Sequence, residues 1–218
     1  EKKISDKFLT WGWTEKNNKK IHRFGLIKNL QKIKNNSQKK NNIMLIHRMK
    51  DKYLFEIHDY VPSSYTNQYL DGHFNFLKNL EKDKLKNLII RYKHVDYTDL
   101  KSLDSRLFPY LKQDMSNTPL SNHFKNTKLV VCEALQTTYL ESMALNIPTV
   151  CFSHCKDESF KPSFYPFLNE LKKAKIFFED SKDAAKHINE NWDKIDDWWN
   201  NAEVIKIREN FCHNYILL

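Results

Sequence analysis

Residues 129–152, LVVCEALQTTYLESMALNIPTVCF, decide the fold class of this 218-residue chain. Residues 129–132 form a short apolar run that predicts a buried strand, and residues 149–152 form a second one. Residues 137–145 carry apolar side chains at helical spacing, and Pro148 is a helix-stop signal. The stretch therefore predicts strand, turn, helix and strand. The start of such a helix lies at the carboxyl edge of a parallel sheet, where anions bind.

Strands and helices also alternate on both sides of this unit. Continuous apolar runs predict strands at 43–47, 88–90 and 176–178. Helical patterns occur at 65–80, 104–111, 165–173, 181–189, 193–199 and 202–215, and Ser181 is expected to cap the helix that it begins. This alternation predicts an α/β fold with a doubly wound parallel sheet and C-terminal helices within a domain at 43–218. Residues 1–42 are expected to form an interdomain strand, at the aromatic stretch 8–13, and a basic linker arm.

The glycine content limits the kind of phosphate site that the chain can form. Only Gly12, Gly25 and Gly72 occur, and none lies near another. This pattern excludes a G-x-x-x-x-G-K phosphate loop and a G-x-G-x-x-G dinucleotide fingerprint. A phosphate site must therefore use a helix start and basic side chains. Thr137 and Thr138 add hydroxyl donors at the predicted helix start, which suits a phosphate.

The net charge of +9 comes from one end of the chain. Residues 1–52 hold 15 Lys and Arg against 4 Asp and Glu, a net +11, whereas residues 53–218 hold 21 against 23, a net −2. A nucleic-acid-binding protein instead concentrates basic residues on a folded face. We therefore expect a Lys- and Asn-rich linker and no nucleic-acid partner.

Cysteine usage and hydropathy indicate the cellular compartment. The four cysteines show neither a C-x-x-C pair nor the spacing of a zinc site, so we expect reduced thiols and a cytoplasmic location. No apolar run approaches the roughly 18 residues of a membrane span, and the N-terminus lacks a signal-peptide pattern. Membrane contact is expected to be at most peripheral, at the inner face. The abrupt start at Glu1 suggests a fragment of a longer enzyme.

Polar residues that directly follow predicted strands are candidates for the site. Arg48 and Arg91 each hold such a position, from which a guanidinium can reach a phosphate in the crevice. The alternatives are a solvated loop for Arg48, and water or an acid as the partner of Arg91. His94 and Asp96 are candidates for a general base and its orienting partner, with a structural pair as the alternative.

The central helix also carries a family resemblance. Residues 140–150, LESMALNIPTV, resemble the donor-site helix of GT-B glycosyltransferases, in which Leu-Glu-Ala-Met-Ala precedes two variable positions and Pro-Val. The likeness extends to a family of bacterial surface-carbohydrate transferases through Thr137-Thr138, Phe8 to Trp13, Trp198-Trp199 and the tail from Arg208 to Tyr215. It covers most of residues 8–215. The resemblance implies a Rossmann-like GT-B C-terminal half, the half that binds the nucleotide-sugar.

The resemblance also implies roles for residues around this helix. Gln136, Thr137 and Thr138 at the helix opening would hold the donor phosphates, and Glu141 would hold the nucleotide ribose. Glu133 and Glu141 have the E-x7-E spacing of many retaining members, in which the first glutamate touches the donor sugar. The Pro-Phe-Gly that usually follows this glutamate is Ala-Leu-Gln here.

The function expected from this resemblance is sugar transfer in surface polysaccharide assembly, from a nucleotide-sugar donor to a glycan or lipid-linked acceptor. No cofactor and no metal are expected, because cations and the helix dipole would stabilise the leaving group. The acceptor site and the catalytic base would come largely from an N-terminal domain outside this chain. A non-catalytic nucleotide-binding or partner-docking module, or a sugar-nucleotide epimerase of the same architecture, is the alternative.

Overall fold

A computed structural model describes residues 4–15, 17–25, 41–47, 63–92, 100–153 and 160–216. Within these ranges the strands are β1 (Phe8–Thr10), β2 (Ile21–Arg23), β3 (Asn42–Ile46), β4 (Leu88–Arg91), β5 (Lys112–Asp114), β6 (Thr127–Cys132), β7 (Thr149–Phe152) and β8 (Phe177–Phe178). The helices are α1 (Ser63–Asn79), α2 (Lys82–Leu85), α3 (Leu100–Leu107), α4 (Leu120–His123), α5 (Thr137–Ala144), α6 (Tyr165–Lys173), α7 (Ser181–Asn191), α8 (Ile195–Trp199) and α9 (Ala202–Tyr215). None of these described helices has both the length and the apolar character needed to cross a membrane.

Strands β3 to β8 form one parallel sheet in the order β5-β4-β3-β6-β7-β8. The first of these strands, β3, lies in the middle, with the next two strands on one side and the last three on the other. The direction of the strand order reverses between β3 and β6, and sheets of this type bind ligands at such a switch point. The predicted doubly wound, Rossmann-like parallel sheet is confirmed.

Helices cover both faces of the sheet, so the central strands are apolar on both sides. Leu45 and Val131 point into the first face, which is packed with buried side chains of α1, α3, α7 and α8. Val130 and Cys151 point into the second face, where they pack against α5, α6 and α9. Their sequence neighbours Val131 and Val150 point into the first face. This double coverage explains why the strands are continuous apolar runs in the sequence rather than alternating ones.

Helix α5 ends through its own C-terminal geometry. Asn146 has a left-handed backbone, with φ of 56°. The N–H of Ile147 donates to the carbonyl of Ser142 at 2.9 Å, the long bond that is typical of this kind of helix ending. Trp199 donates its Nε1–H to Oδ1 of Asn146 at 2.9 Å, which ties the turn to α8. Pro148, the predicted stop signal, therefore comes after the helix has already ended.

Two other local predictions differ from the structure. The helix predicted at 104–111 is α3, which begins and ends four residues earlier. Ser181 is the first residue of α7 and is buried, whereas Asp180 caps the helix by accepting from the N–H of Lys182 at 2.8 Å. The short elements β5 and α4 had no predicted counterpart, because three or four mostly polar residues carry too little periodicity to be recognised.

The described part of the arm packs against the end of α9. Strands β1 and β2 pair in parallel, and Nη2 of Arg23 donates to the carbonyl of His213 at 2.7 Å. Gly12 also lies there, since a Cβ atom at this position would be 3.0 Å from the carbonyl oxygen of Asn214. The arm is thus attached to the C-terminal helix, while the predicted boundary at residue 42 stays a prediction.

The packing of α1 on the sheet can be tested at Phe76, which is fully buried and stacks on Phe152 with ring centroids 5.0 Å apart. Phe76→Ala should lower the free energy of unfolding by about 3–5 kcal/mol, because it leaves a cavity in the first face. The control Leu107→Ala, at a residue that is 52% exposed, should change it by less than about 0.5 kcal/mol. Urea denaturation followed by circular dichroism measures both, and equal losses would contradict this packing.

Candidate functional site

Two polar residues directly follow the two strands that flank the switch point. His47 follows β3, and Glu133 follows β6. The N–H of Glu133 donates to the carbonyl of Ile46 at 3.3 Å, and the N–H of His47 donates to the carbonyl of Arg91 at 3.2 Å. Hydrogen bonding between neighbouring strands therefore continues through both residues, which holds them beside each other at the carboxyl edge of the sheet.

The carboxylate of Glu133 bridges two histidines. Its Oε2 lies 2.5 Å from Nδ1 of His47, and its Oε1 lies 2.5 Å from Nδ1 of His73 in α1. His73 is fully buried, and Glu133 is 2% exposed. Tyr69, one turn earlier on α1, donates its hydroxyl to the backbone carbonyl of Glu133 at 3.2 Å. These bonds connect α1 to the segment that follows β6.

The other side of the His73 ring meets a second carboxylate. Nε2 of His73 lies 3.0 and 3.1 Å from the two carboxylate oxygens of Asp104 in α3, which is also fully buried. Tyr92, which follows β4, donates its hydroxyl to the same carboxylate. Five side chains from five segments thus form one hydrogen-bonded group, the His73 network: His47, Glu133, His73, Asp104 and Tyr92.

Burial and pairing act in opposite directions on the two central members of this network. Burial lowers the pKa of His73, but the charge of Glu133 and the hydrogen bonds to Asp104 and Glu133 outweigh it and raise this pKa to about 10. Burial raises the pKa of Glu133, but His73 and His47 outweigh it and lower this pKa to about 2. His73 is therefore a buried imidazolium that is paired with carboxylates on both sides.

Three members of the network are close enough together to be considered as metal ligands. One atom from each of His47, His73 and Glu133 lies within 4.8 Å of the other two. Ligand atoms about 2.0–2.2 Å from a shared ion are, however, roughly 3 Å or more apart. The oxygens of Glu133 lie only 2.5 Å from each Nδ1, which is a hydrogen-bond distance. The arrangement is that of an ion-paired network, and the expected absence of a metal stays a prediction.

Helix α5 begins four residues after Glu133. Gln136 occupies the N-cap position with an extended backbone, and its side chain makes no capping bond. Gln136 and Thr137 are exposed and Thr138 is half-buried, so the start of the helix faces away from the core. The N–H groups and the dipole of a helix start attract an anion. The phosphate contacts of these three residues remain predictions.

The two glutamates of the E-x7-E pair have different surroundings. Glu141 lies one turn inside α5 and is 7% exposed, and its ribose contact stays a prediction. Glu133 has both carboxylate oxygens engaged by His47 and His73. A donor sugar at Glu133 would have to share these oxygens with the two histidines. The contact of Glu133 with the sugar therefore also stays a prediction. In the structure its carboxylate holds the two histidines instead.

A sequence model of the LIC12162 family transferases matches residues 1–217. The chain belongs to this family of transferases. Two solved structures of the wall teichoic acid polymerase TagF, one of a variant soaked with CDPG, resemble the chain with a TM-score of 0.46 each at 15% and 13% sequence identity. The matches cover 84% and 83% of this chain but 40% and 41% of the TagF chains, so it spans about two fifths of their length. No curated protein matches the chain.

In this LIC12162 family transferase, Arg91 is paired at the edge of the sheet. Its Nη1 bonds to the carboxylate of Asp114 and to Oγ of Ser116 at 2.9 Å, and its Nη2 donates to the carbonyl of Thr118 at 2.8 Å. Burial raises the pKa of Asp114, but hydrogen bonds from Ser116 and Arg91 lower it below its usual value. An acid is thus one partner of Arg91, and phosphate contact stays a prediction.

Three predicted site residues, Arg48, His94 and Asp96, lie outside the described residues, and their roles remain predictions. Sequence reasoning did not single out His73 and Asp104 in this transferase. Both lie inside amphipathic helices, at positions one turn from buried apolar side chains. An ionisable residue at a buried position needs a polar or charged partner. The sequence therefore indicates that His73 and Asp104 each have such a partner. The sequence does not reveal the identity of the partner, because that depends on how α1 and α3 pack.

The imidazolium at His73 makes the stability of this transferase depend on pH. The ordinary pKa of a histidine side chain is 6.5, whereas the pKa of His73 in the fold is about 10, so the native state binds the extra proton between these values. The stabilisation is complete below pH 6.5 and is lost as the pH rises toward 10. We expect the free energy of unfolding to fall by about 1–3 kcal/mol between pH 6.5 and 8.5, as measured by urea denaturation.

The matched control is His22, which is exposed on β2. His22→Gln should keep the wild-type pH dependence. His73→Gln should remove most of it and should already be less stable at pH 6.5, because Glu133 and Asp104 lose the charge that neutralises them. A wild-type protein that is equally stable at both pH values would contradict the imidazolium.

Proposed function

We propose that this transferase moves a sugar from a nucleotide-sugar donor, and that the donor binds at the switch point with its phosphates at the start of α5. One observation carries the proposal: the exposed, uncapped start of α5 follows β6 directly at the edge where the strand order reverses. Membership of a transferase family supports group transfer. The resemblance of residues 140–150 to the GT-B donor-site helix supports a nucleotide-sugar as the donor.

On this proposal each residue at the helix has one task. The backbone N–H groups at 136–138 and the hydroxyls of Thr137 and Thr138 bind the phosphates, and the carboxylate of Glu141 accepts from the ribose hydroxyls. When the bond between sugar and phosphate breaks, negative charge grows on the departing diphosphate or monophosphate. Donors that already point at this charge stabilise the transition state, which lowers the barrier by about 3 kcal/mol per well-placed group.

The proposal also covers the acceptor side of the reaction. We propose that a glycan or lipid-linked acceptor and the catalytic base are provided largely by a further, N-terminal domain, and that the reaction takes place in the cytoplasm at the inner face of the membrane, in surface polysaccharide assembly. The chain spans about two fifths of the length of the TagF polymerases. On this view the isolated chain binds the nucleotide but does not turn over.

The donor site is tested by nucleotide binding. UDP-, GDP- and CMP-sugars are titrated into the wild type and into Thr137→Ala, Thr138→Ala and Glu141→Gln, with calorimetry as the readout. The threonine variants should bind the preferred nucleotide about 3- to 10-fold more weakly, and Glu141→Gln about 10-fold more weakly, because each loses one hydrogen bond to the ligand.

Controls come from residues outside the site: Thr14→Ala in the exposed part of the arm and Glu190→Gln on α7 should bind like the wild type. The donor-site proposal fails when no nucleotide binds or when all three site variants match their controls. Release of free sugar, or transfer to an acceptor, separates a transferase from an epimerase, which would return an isomerised nucleotide-sugar. Binding without any reaction of the full-length enzyme would indicate a non-catalytic module.

Metal independence is tested with a chelator. Nucleotide affinity should be the same, within about 2-fold, in EDTA and in magnesium or manganese, because helix N–H groups and protein cations take the place of a divalent ion. The measurement is the same titration with protein that was dialysed against EDTA. Binding that is lost in EDTA and restored by one divalent ion would show that a metal belongs to the donor site.

A further inference from the structure

The two ring nitrogens of His47 have different surroundings. Nδ1 lies 2.5 Å from Oε2 of Glu133, and only 5% of the side-chain surface is exposed. Nε2 makes no hydrogen bond to any residue in the described ranges. Because Glu133 is held as a carboxylate, Nδ1 carries a proton and donates it, and Nε2 is the nitrogen that is left for a ligand.

The rest of the His73 network keeps this orientation in place. Glu133 cannot turn away from His47, because its other oxygen is bonded to His73, and His73 is bonded in turn to Asp104. Asp104 is held by the hydroxyl of Tyr92. The other four members of the network are all buried. Proteins commonly orient a histidine for a ligand in this way: one ring nitrogen is bonded to a carboxylate that is itself held in place, and the other ring nitrogen faces the ligand.

The charges in the network indicate which ligand this would be. One imidazolium, His73, stands between the carboxylates of Glu133 and Asp104. A phosphate at the ring of His47 would accept a hydrogen bond from Nε2, while Nδ1 keeps its bond to Glu133. The ring would then stand between the carboxylate and the anion and separate their charges.

His47 is also near the start of α5. Glu133 is bonded to His47, and Thr137 follows Glu133 by four positions in the sequence. Four residues of extended chain span at most about 14 Å, and the bond from the N–H of Gln136 to the carbonyl of Ala134 shortens this path. The start of α5 therefore lies within about 14 Å of Glu133, the residue to which His47 is bonded.

We propose that His47 keeps its Nδ1 bond to Glu133 and donates from Nε2 to a phosphate of the nucleotide, and that Glu133 is a positioning residue that acts through His47. The proposal rests on the donor site proposed above and adds a second anion contact to it. It also gives Glu133 a task other than binding the sugar. The bound class of ligand is a nucleoside diphosphate or, more generally, a phosphate ester that carries at least two negative charges.

The test compares ligands that differ only in their phosphates. Uridine, cytidine and guanosine, their diphosphates and inorganic pyrophosphate are titrated into the wild type and into His47→Gln, His47→Lys and the control His22→Gln. His47→Gln should weaken the preferred diphosphate about 10- to 100-fold and leave the nucleoside unchanged, because a charged hydrogen bond to phosphate is lost. His47→Lys supplies a cation and should bind the diphosphate at least about 3-fold more tightly than His47→Gln.

The positioning role of Glu133 is tested by a double-mutant cycle, with thermal unfolding curves to confirm that each variant is folded. Glu133→Gln should weaken diphosphate binding, and the double variant His47→Gln, Glu133→Gln should bind no more weakly than His47→Gln alone, because Glu133 acts only through His47. Independent losses that add in the double variant would show a separate contact of Glu133 and overturn the positioning role. If the Glu133 variants are unfolded, the comparison of His47→Gln with His47→Lys still decides the phosphate contact.

The remaining outcomes separate this inference from the donor-site proposal. If the wild type binds no nucleotide, both are overturned. If Thr137→Ala and Thr138→Ala weaken the diphosphate but His47→Gln binds it like the wild type, the donor site stands and the phosphate contact of His47 does not. Unchanged binding by His47→Gln, together with loss of transfer in the full-length enzyme, would overturn the phosphate contact and identify His47 as a base for the acceptor instead.

Discussion

The ion pair between His73 and the carboxylates on both sides of its ring is the interaction on which the switch point depends. It is buried, so neither Glu133 nor Asp104 can exchange its partner for water without a large loss of stability. The histidine comes from α1 and the carboxylates come from α3 and from the end of β6. One charged ring therefore joins two helices to the strand edge at which the sheet changes direction.

The parallel sheet explains why these groups meet. Its carboxyl ends all lie on one edge, so residues that follow β3, β4 and β6 in the sequence become neighbours in space, although 86 positions separate His47 from Glu133. Helices cover both faces and hold the strands in place, which leaves this edge for chemistry. The same edge holds the start of α5. The start of α5 and the His73 network thus lie at the same edge because of one feature of the topology.

The network also changes the interpretation of Glu133. The E-x7-E spacing relates it to Glu141 along the chain, and that relation suggested a pair of ligands for one donor. In the fold the two side chains have separate surroundings, because Glu133 precedes the helix and turns toward α1, whereas Glu141 lies inside α5. Residues that form one sequence pattern can therefore have different positions and contacts in the fold. For Glu133, these contacts come from the packing of α1 against the sheet.

Much of the architecture could be predicted from the sequence, because it depends on local patterns. The apolar runs of β3, β4, β6, β7 and β8 and the helical spacing of α5, α6, α7 and α9 follow from periodicity, and their alternation implies a parallel sheet. The start of α5 after a buried strand was predictable for the same reason. Short elements such as β5 and α4 were not, since a few polar residues have no periodicity.

What the sequence determined by itself was thus the fold class and the position of one helix start, since both depend on residues that are close along the chain. The tertiary structure alone decided that His47, His73, Glu133, Asp104 and Tyr92 form one network, and that Arg91 pairs with Asp114. These contacts join residues that are between 12 and 86 positions apart. A buried polar residue needs a partner, but only the packing of helices on the sheet determines which partner it finds.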